Sequence, residues 1–364
     1  MNEEKIAQLY GIKKHPIYIY TPAYLEVSAG IKALHFLCHS LNQTGNLAWL
    51  VVHGMASEKT PLVSPNLNTP VLSSELRDLH FESGMVPIVI YPETIPGNPL
   101  NAQVIVRWVL NYPGILGGPE KFHETEHLIA YSKDIATKLE KEISVLFLPP
   151  IDIREIYKFK KSSADIERTD RILLYAGKYR GFVGNPILPR WVSGEITEIW
   201  REGAKKQSRE NVLELLATSS CLFIFENSTL ITEAVLLGTP VILVRSTFFD
   251  SLIAEYELGS GGVSWSDAEN PIDSALFTIE NVESRYLESV DRFFVALERE
   301  VIIWQEIASK SDYLSPVYLP NFLKLVSRHR ISLAIQVFRS QGLFVLLRIM
   351  KSFIKRRILF KKVE

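Results

Sequence analysis

The chain has little that would cross-link it or hold a metal. Of its 364 residues only two are cysteine, Cys38 and Cys221, each flanked by apolar neighbours. That excludes a disulfide framework and a thiolate metal site, and it suits buried thiols in a reducing compartment. No Asp-x-Asp pair and no His/Cys cluster offers a ligand set, so neither a metal nor a cofactor is expected. The opening residues, MNEEKIAQLYGIKKHP, carry acids where a secretory signal has basic residues and then an apolar stretch, so the expected location is cytoplasmic. Short-period repeats and low-complexity segments are also missing. Gly259-Ser260-Gly261-Gly262 lacks the order of a dinucleotide fingerprint and reads as a loop. A nicotinamide oxidoreductase is therefore disfavoured.

What is present is globular: 47% of residues are hydrophobic and 22% charged. The length predicts two domains. The formal net charge of −1 conceals an uneven distribution. From Lys324 to Glu364 eleven basic residues face one acid, out of 40 basic and 41 acidic in all, so the body before them carries 29 basic and 40 acidic residues. Such a tail seeks an anionic partner.

Short apolar runs and helical patterns alternate along the chain. Strands are expected at 17–20, 49–52, 86–91, 127–132 and 144–148, with helices at 31–41 and 102–110. Residues 151–170 are charged and poor in large apolar runs, and read as a linker. A second series follows, with strands at 172–176, 221–225 and 241–244 and a helix at 209–217. The expected fold is α/β: two Rossmann-like domains, 1–150 and 171–310, facing across a cleft.

The stretch FIFENSTLITEAVLLGTPVILV, residues 223–244, concentrates the chemistry. A buried strand would end before Glu226-Asn227-Ser228-Thr229, with Ser228 or Thr229 capping a short helix over 230–237. Gly238 suits the left-handed exit and Pro240 forbids continuation. The helix N-terminus attracts phosphate, and Glu233, on the next turn, offers an acceptor for hydroxyls. A nucleotide sugar needs both features side by side. Without a ligand, the same acid would simply stabilise the helix dipole.

These residues resemble the donor half of group 1 glycosyltransferases, which have the GT-B fold. The match runs through Glu226, Thr229, Glu233-Ala234 and Gly238-Thr239-Pro240-Val241-Ile242, and upstream through EITEIW…SRENVLELLATSSCLFIF. YPETIPGNPLNAQVIVRWVLNYPG, residues 91–114, is similar to the first domain of a bacterial surface-polysaccharide subset. The resemblance implies a metal-independent transferase acting on a nucleotide-sugar donor and a glycan or lipid-linked acceptor. It implies Glu226 at the sugar, Lys178 and Arg180 at the leaving diphosphate, and Asn227, Ser228, Thr229 and Glu233 around the donor. Six residues separate Glu226 from Glu233, where the family usually has seven, and the stereochemical outcome stays open.

On the acceptor side the candidates are Gly30, Glu93, Arg107 and Asn111. Gly30 permits close backbone approach or merely a turn. Glu93 is either a general base or a loop cap, and Arg107 either a phosphate partner or the partner of a local acid. His35 is expected to be structural. Residues 311–364 are expected to return to the first domain and end in a basic amphipathic helix over 331–360. There the longest apolar run, Leu343 to Leu347, has five residues, far short of the about 20 that span a bilayer. That helix either lies on an anionic membrane surface, making the protein peripheral, or packs on the acidic body. Nucleic acid is not an expected partner. Two rival readings remain: a sugar-nucleotide epimerase of the same fold, and a catalytically silent glycan-binding or scaffold module.

Overall fold

The computed structural model describes residues 14–54, 61–139, 142–162 and 167–319. The basic tail expected over 331–360 lies outside them. The described chain divides into two compact units: one of residues up to 131, 135–148 and 293–319, the other of residues 132–134 and 149–292.

The first unit is built on six parallel strands: β1 (Ile17–Pro22), β2 (Ala48–His53), β3 (Ile88–Pro92), β4 (Val104–Val109), β5 (His127–Ala130) and β6 (Ser144–Val145). Their spatial order is β2-β1-β3-β4-β5-β6. β1 and β3 are buried on both faces, which is why IYIY and IVIY read as unbroken apolar runs. Helix α1 (Ala29–Gln43) starts at Ser28, whose Oγ accepts the Ile31 N–H. It lays Leu34, Leu37, Cys38 and Leu41 against the sheet at helical spacing.

β4 corrects the helix expected over 102–110. Residues 104–110 are a nearly unbroken apolar run that suits a buried helix or a buried strand, but Val104, Val106 and Trp108 alternate at strand spacing and the segment pairs in register with both β3 and β5. β-branched residues at the buried positions suit a central strand better than a helix.

The second sheet holds β7 (Ile172–Tyr175), β8 (Ile196–Glu198), β9 (Cys221–Ile224), β10 (Val241–Leu243) and β11 (Val263–Trp265), ordered β11-β10-β9-β7-β8 and parallel throughout. Counted within its own unit, this is the order 2-1-3-4-5, which the first sheet also follows before adding β6. Each sheet is a doubly wound α/β unit, with its switch point beside its first strand.

Two expectations about the connections are corrected. Residues 151–170 are not an open linker: 153–162 form a helix, α4 (Ile153–Ser162). Ile156 is wholly buried, with Ile151 beside it and Phe159 half-buried, in the core of the second unit. Lysines on the outer face hid that stripe in the composition. The return to the first unit also precedes residue 311. It falls within the long helix Val282–Ser309, whose residues from Phe293 on belong to the first unit. There Phe293, Leu297, Trp304 and Ala308 enter its core.

Candidate functional site

In the second sheet the connections leave β7 toward opposite sides, so a crevice is expected beyond the carboxyl ends of β7 and β9. Beyond β7 lies a short helix, α5 (Gly177–Phe182), which carries Lys178 and Arg180. It starts against the preceding strand. A Cβ on Gly177 would sit 2.7 Å from the Tyr175 hydroxyl, so any side chain there would have to displace that ring. Beyond β9 come Phe225, Glu226 and Asn227, and then helix α7 (Thr229–Leu236). Ser228 is its cap, with Oγ accepting the Leu230 N–H at 3.3 Å. Gly238 has φ +80°, the left-handed exit its position predicts.

The two turns meet at Glu226. Its carboxylate is 1% exposed, and Oε2 accepts the Tyr179 N–H at 2.8 Å. Oε1 is buried with no hydrogen-bond partner. Burial pushes the carboxyl above the usual carboxylate range, against the pull of Lys178, the N–H groups of Tyr179 and Lys178, and Arg201. Burial, with Glu226 nearby, likewise raises the Tyr175 hydroxyl. Asn227 holds the next loop to this turn: its amide donates to the Ser251 carbonyl at 2.9 Å and accepts the Ile253 N–H at 3.1 Å.

Cations surround the acid. Lys178 is exposed, in the first turn of α5. Arg201, which the sequence reading did not single out, follows β8 and places Nη1 3.4 Å from Thr229 Oγ1. Its signal was faint: a basic residue just after ITEIW, itself not read as a strand. Arg180 is less available. Glu198 takes its Nε and Nη2 at 2.7 and 2.8 Å, Asn185 takes Nη1 at 2.9 Å, and the guanidinium lies 5.2 Å over Trp200.

Glu233 is occupied within the protein. It is 1% exposed and pairs with Arg209 Nη1 at 2.5 Å, while Arg209 Nη2 reaches Glu155 at 2.8 Å. Burial lowers the arginine's pKa, but the two carboxylates outweigh it and hold the group above its ordinary value. The partner seen for Glu233 is therefore an arginine from the preceding helix, not an open mouth where ribose would sit.

In the first unit the candidates are likewise engaged. Arg107 is wholly buried. It forms a fork with Glu126 (Nε 2.7 Å, Nη2 3.1 Å) and donates to the carbonyls of Pro92, Ile95 and Gly97. Those contacts use all five of its N–H donors, so the phosphate role is corrected: Arg107 fixes the loop after β3. Glu93 is buried and accepts the Leu110 N–H at 2.9 Å, tying that loop to the end of β4. Gly118 closes over it with φ +113°, where a Cβ would lie 2.7 Å from the Glu93 carbonyl oxygen. Asn111 Oδ1 accepts the N–H of Tyr112. Gly30 sits in the first turn of α1, and a Cβ there would meet only Leu110, at 3.9 Å, so space does not demand glycine. His35 is buried, with Nε2 3.1 Å from the Pro22 carbonyl, consistent with a structural role.

No protein-family model matches the chain, and no curated protein matches it. Among solved structures it is similar to a glycosyltransferase from Rickettsia africae ESF-5, at TM-score 0.47 and 11% identity over 82% of this chain and 100% of that one. It is similar also to WaaG, a glycosyltransferase involved in lipopolysaccharide biosynthesis, at 0.38 and 12% over 79% and 99%. The spinosyn forosaminyltransferase SpnP gives 0.37 and 15% over 88% and 100%. Likeness this slight assigns no activity.

Proposed function

We propose that the chain is a glycosyltransferase that moves a sugar from a nucleotide-sugar donor to a glycan or lipid-linked acceptor. One observation carries the reading. At the switch point of the second sheet a buried carboxylate with an unpartnered oxygen, Glu226, sits among Lys178, Arg201 and the capped N-terminus of α7.

Each part has a task in such a transfer. The bond from the anomeric carbon to the diphosphate oxygen breaks, and the leaving diphosphate keeps the electron pair. Lys178, Arg201 and the amides of α7 stabilise that charge, with Arg180 held beside them by Glu198. The acceptor hydroxyl forms the new bond and gives its proton to an oxygen of the departing diphosphate. Glu226 Oε1 takes a hydrogen bond from a sugar hydroxyl. Protein cations supply the neutralisation, so the reading needs no metal. Glu233 positions Arg209 and, through it, α4, and touches no substrate. The basic residues from Lys324 on would bring the protein to an anionic membrane face, where lipid-linked acceptors are presented.

The test is thermal stabilisation by UDP-, GDP-, dTDP- and CMP-sugars, followed by release of nucleoside diphosphate with a membrane-derived acceptor. A ligand at 100 times its Kd adds about 2.7 kcal/mol. One nucleotide should stabilise the wild type and not Glu226→Gln or Lys178→Ala. Stabilisation by none of them, or equally in all three proteins, would overturn the donor site. Stabilisation without transfer would favour the binding-module reading.

A further inference from the structure

Tyr175 is the last residue of β7. Its ring is buried in the core of the second unit, in one cluster with Leu173, Ile199 and Leu230. A buried tyrosine needs somewhere for its polar end to go, and here the hydroxyl returns to the carboxyl end of the sheet. It stands 2.7 Å from the point that a Cβ on Gly177 would occupy. The absent side chain at the start of α5 is what leaves the phenol its place.

On the other side lies the start of α7. Burial above all, then Glu226, raises the Tyr175 pKa, while Arg201 and a hydrogen bond with Ser228 pull it back. A bond that favours the phenolate form is one donated to the phenol oxygen, so Ser228 supplies the proton. Ser228 Oγ also accepts the Leu230 N–H. Its lone pair thus serves an amide of α7 and its proton serves the phenol. Among the described residues nothing accepts the phenolic proton in turn. Amide, serine and tyrosine form a relay in which each bond polarises the next, and the last proton is left at the switch point.

Glu226 offers the converse. Its Oε1 is a buried acceptor that no protein group satisfies, and it does not take the phenolic proton although it is close enough to raise that group's pKa. A ligand that completes both must bring a hydroxyl for the carboxylate and an anionic oxygen for the phenol. A sugar diphosphate carries the two on either side of one anomeric bond.

We propose that the Tyr175 hydroxyl donates a hydrogen bond to the diphosphate of the nucleotide sugar, and that the bare Cα of Gly177 holds it in position to do so. The inference rests on the donor-site reading above and adds to it an uncharged proton donor beside Lys178 and Arg201. Because the phenol is neutral, its share of the binding is not screened by salt, whereas theirs is.

Calorimetric titration of the full-length wild type and Tyr175→Phe with UDP, GDP, dTDP and CDP tests this. The diphosphate that wild type prefers should bind Tyr175→Phe about tenfold more weakly, by the same factor in low and high salt. The ring keeps its packing, so the free variant should melt close to wild type. Gly177→Ala, which pushes the hydroxyl aside, should weaken binding to a similar degree. In the Tyr175→Phe background the same alanine should cost clearly less, because the group it displaces is already gone. Equal affinity of Tyr175→Phe and wild type overturns this role and leaves the donor site standing. Fully additive losses overturn it too, as does weaker binding accompanied by early melting of the free protein, the mark of a structural strut. If wild type binds none of the four, the donor site falls and the role of Tyr175 with it.

Discussion

Arg209 holds Glu233 at 2.5 Å, in a pair whose acid is 1% exposed and whose base is 31% exposed and also reaches Glu155. The two partners are not equivalent. Arg209→Met leaves a buried carboxylate without its counter-charge and should cost about 3–5 kcal/mol. Glu233→Gln leaves the arginine with Glu155 and some water, and should cost about 1–3 kcal/mol. Urea unfolding of the two variants checks the order, and equal losses would contradict the pairing.

Glu226 should make stability depend on pH with a definite sign. Its folded pKa is raised by burial, so the unfolded chain gives up this proton first. The favourable contribution is complete below the unfolded value and is lost as pH rises through the folded one. Glu226→Gln should therefore gain stability relative to wild type as pH climbs above the ordinary carboxylate range. Denaturation midpoints at about pH 4, 5.5 and 7 measure the difference, and a flat difference would contradict the burial.

Arg107→Lys is not conservative here. One ammonium cannot serve a carboxylate fork and three carbonyls. The substitution should cost about 3–5 kcal/mol. It should also raise amide exchange in the loop after β3, whose carbonyls lose their donor. Unchanged exchange in residues 93–97 would show that the loop is held by other means.

Lys178→Ala and Arg201→Ala should each weaken nucleotide-sugar binding about tenfold or more, the worth of a charge-assisted contact. Both should flatten its dependence on ionic strength. Calorimetry in low and high salt reads both effects. Arg180→Ala should do less, because Glu198 already offsets that charge.

What was legible in the sequence was local or one-dimensional. β1, β3 and β9 announced themselves because a strand buried on both faces has no polar position to interrupt it. The cap at Ser228 and the exit at Gly238 depend on residues within one turn. Residues 102–110 went astray because apolar spacing alone does not separate a buried strand from a helix, and only pairing with both neighbours decides it. The pairing of Glu233 with Arg209 was hidden because it spans 24 positions and exists only after two helices are laid side by side. The same holds for Arg201, which acquires its meaning from the order β8-β7-β9 and not from its neighbours in the chain.

The long helix that ends at Ser309 has a consequence for the order of assembly during synthesis. By the time Arg292 has left the ribosome, the second unit holds all of its described residues. The first unit began earlier and still lacks Phe293, Leu297, Trp304 and Ala308, which fill its core. The half of the protein translated first is thus the half that closes last. Until then the part of its apolar sheet face that α1 does not cover stays open, the condition in which a nascent chain is most exposed to aggregation.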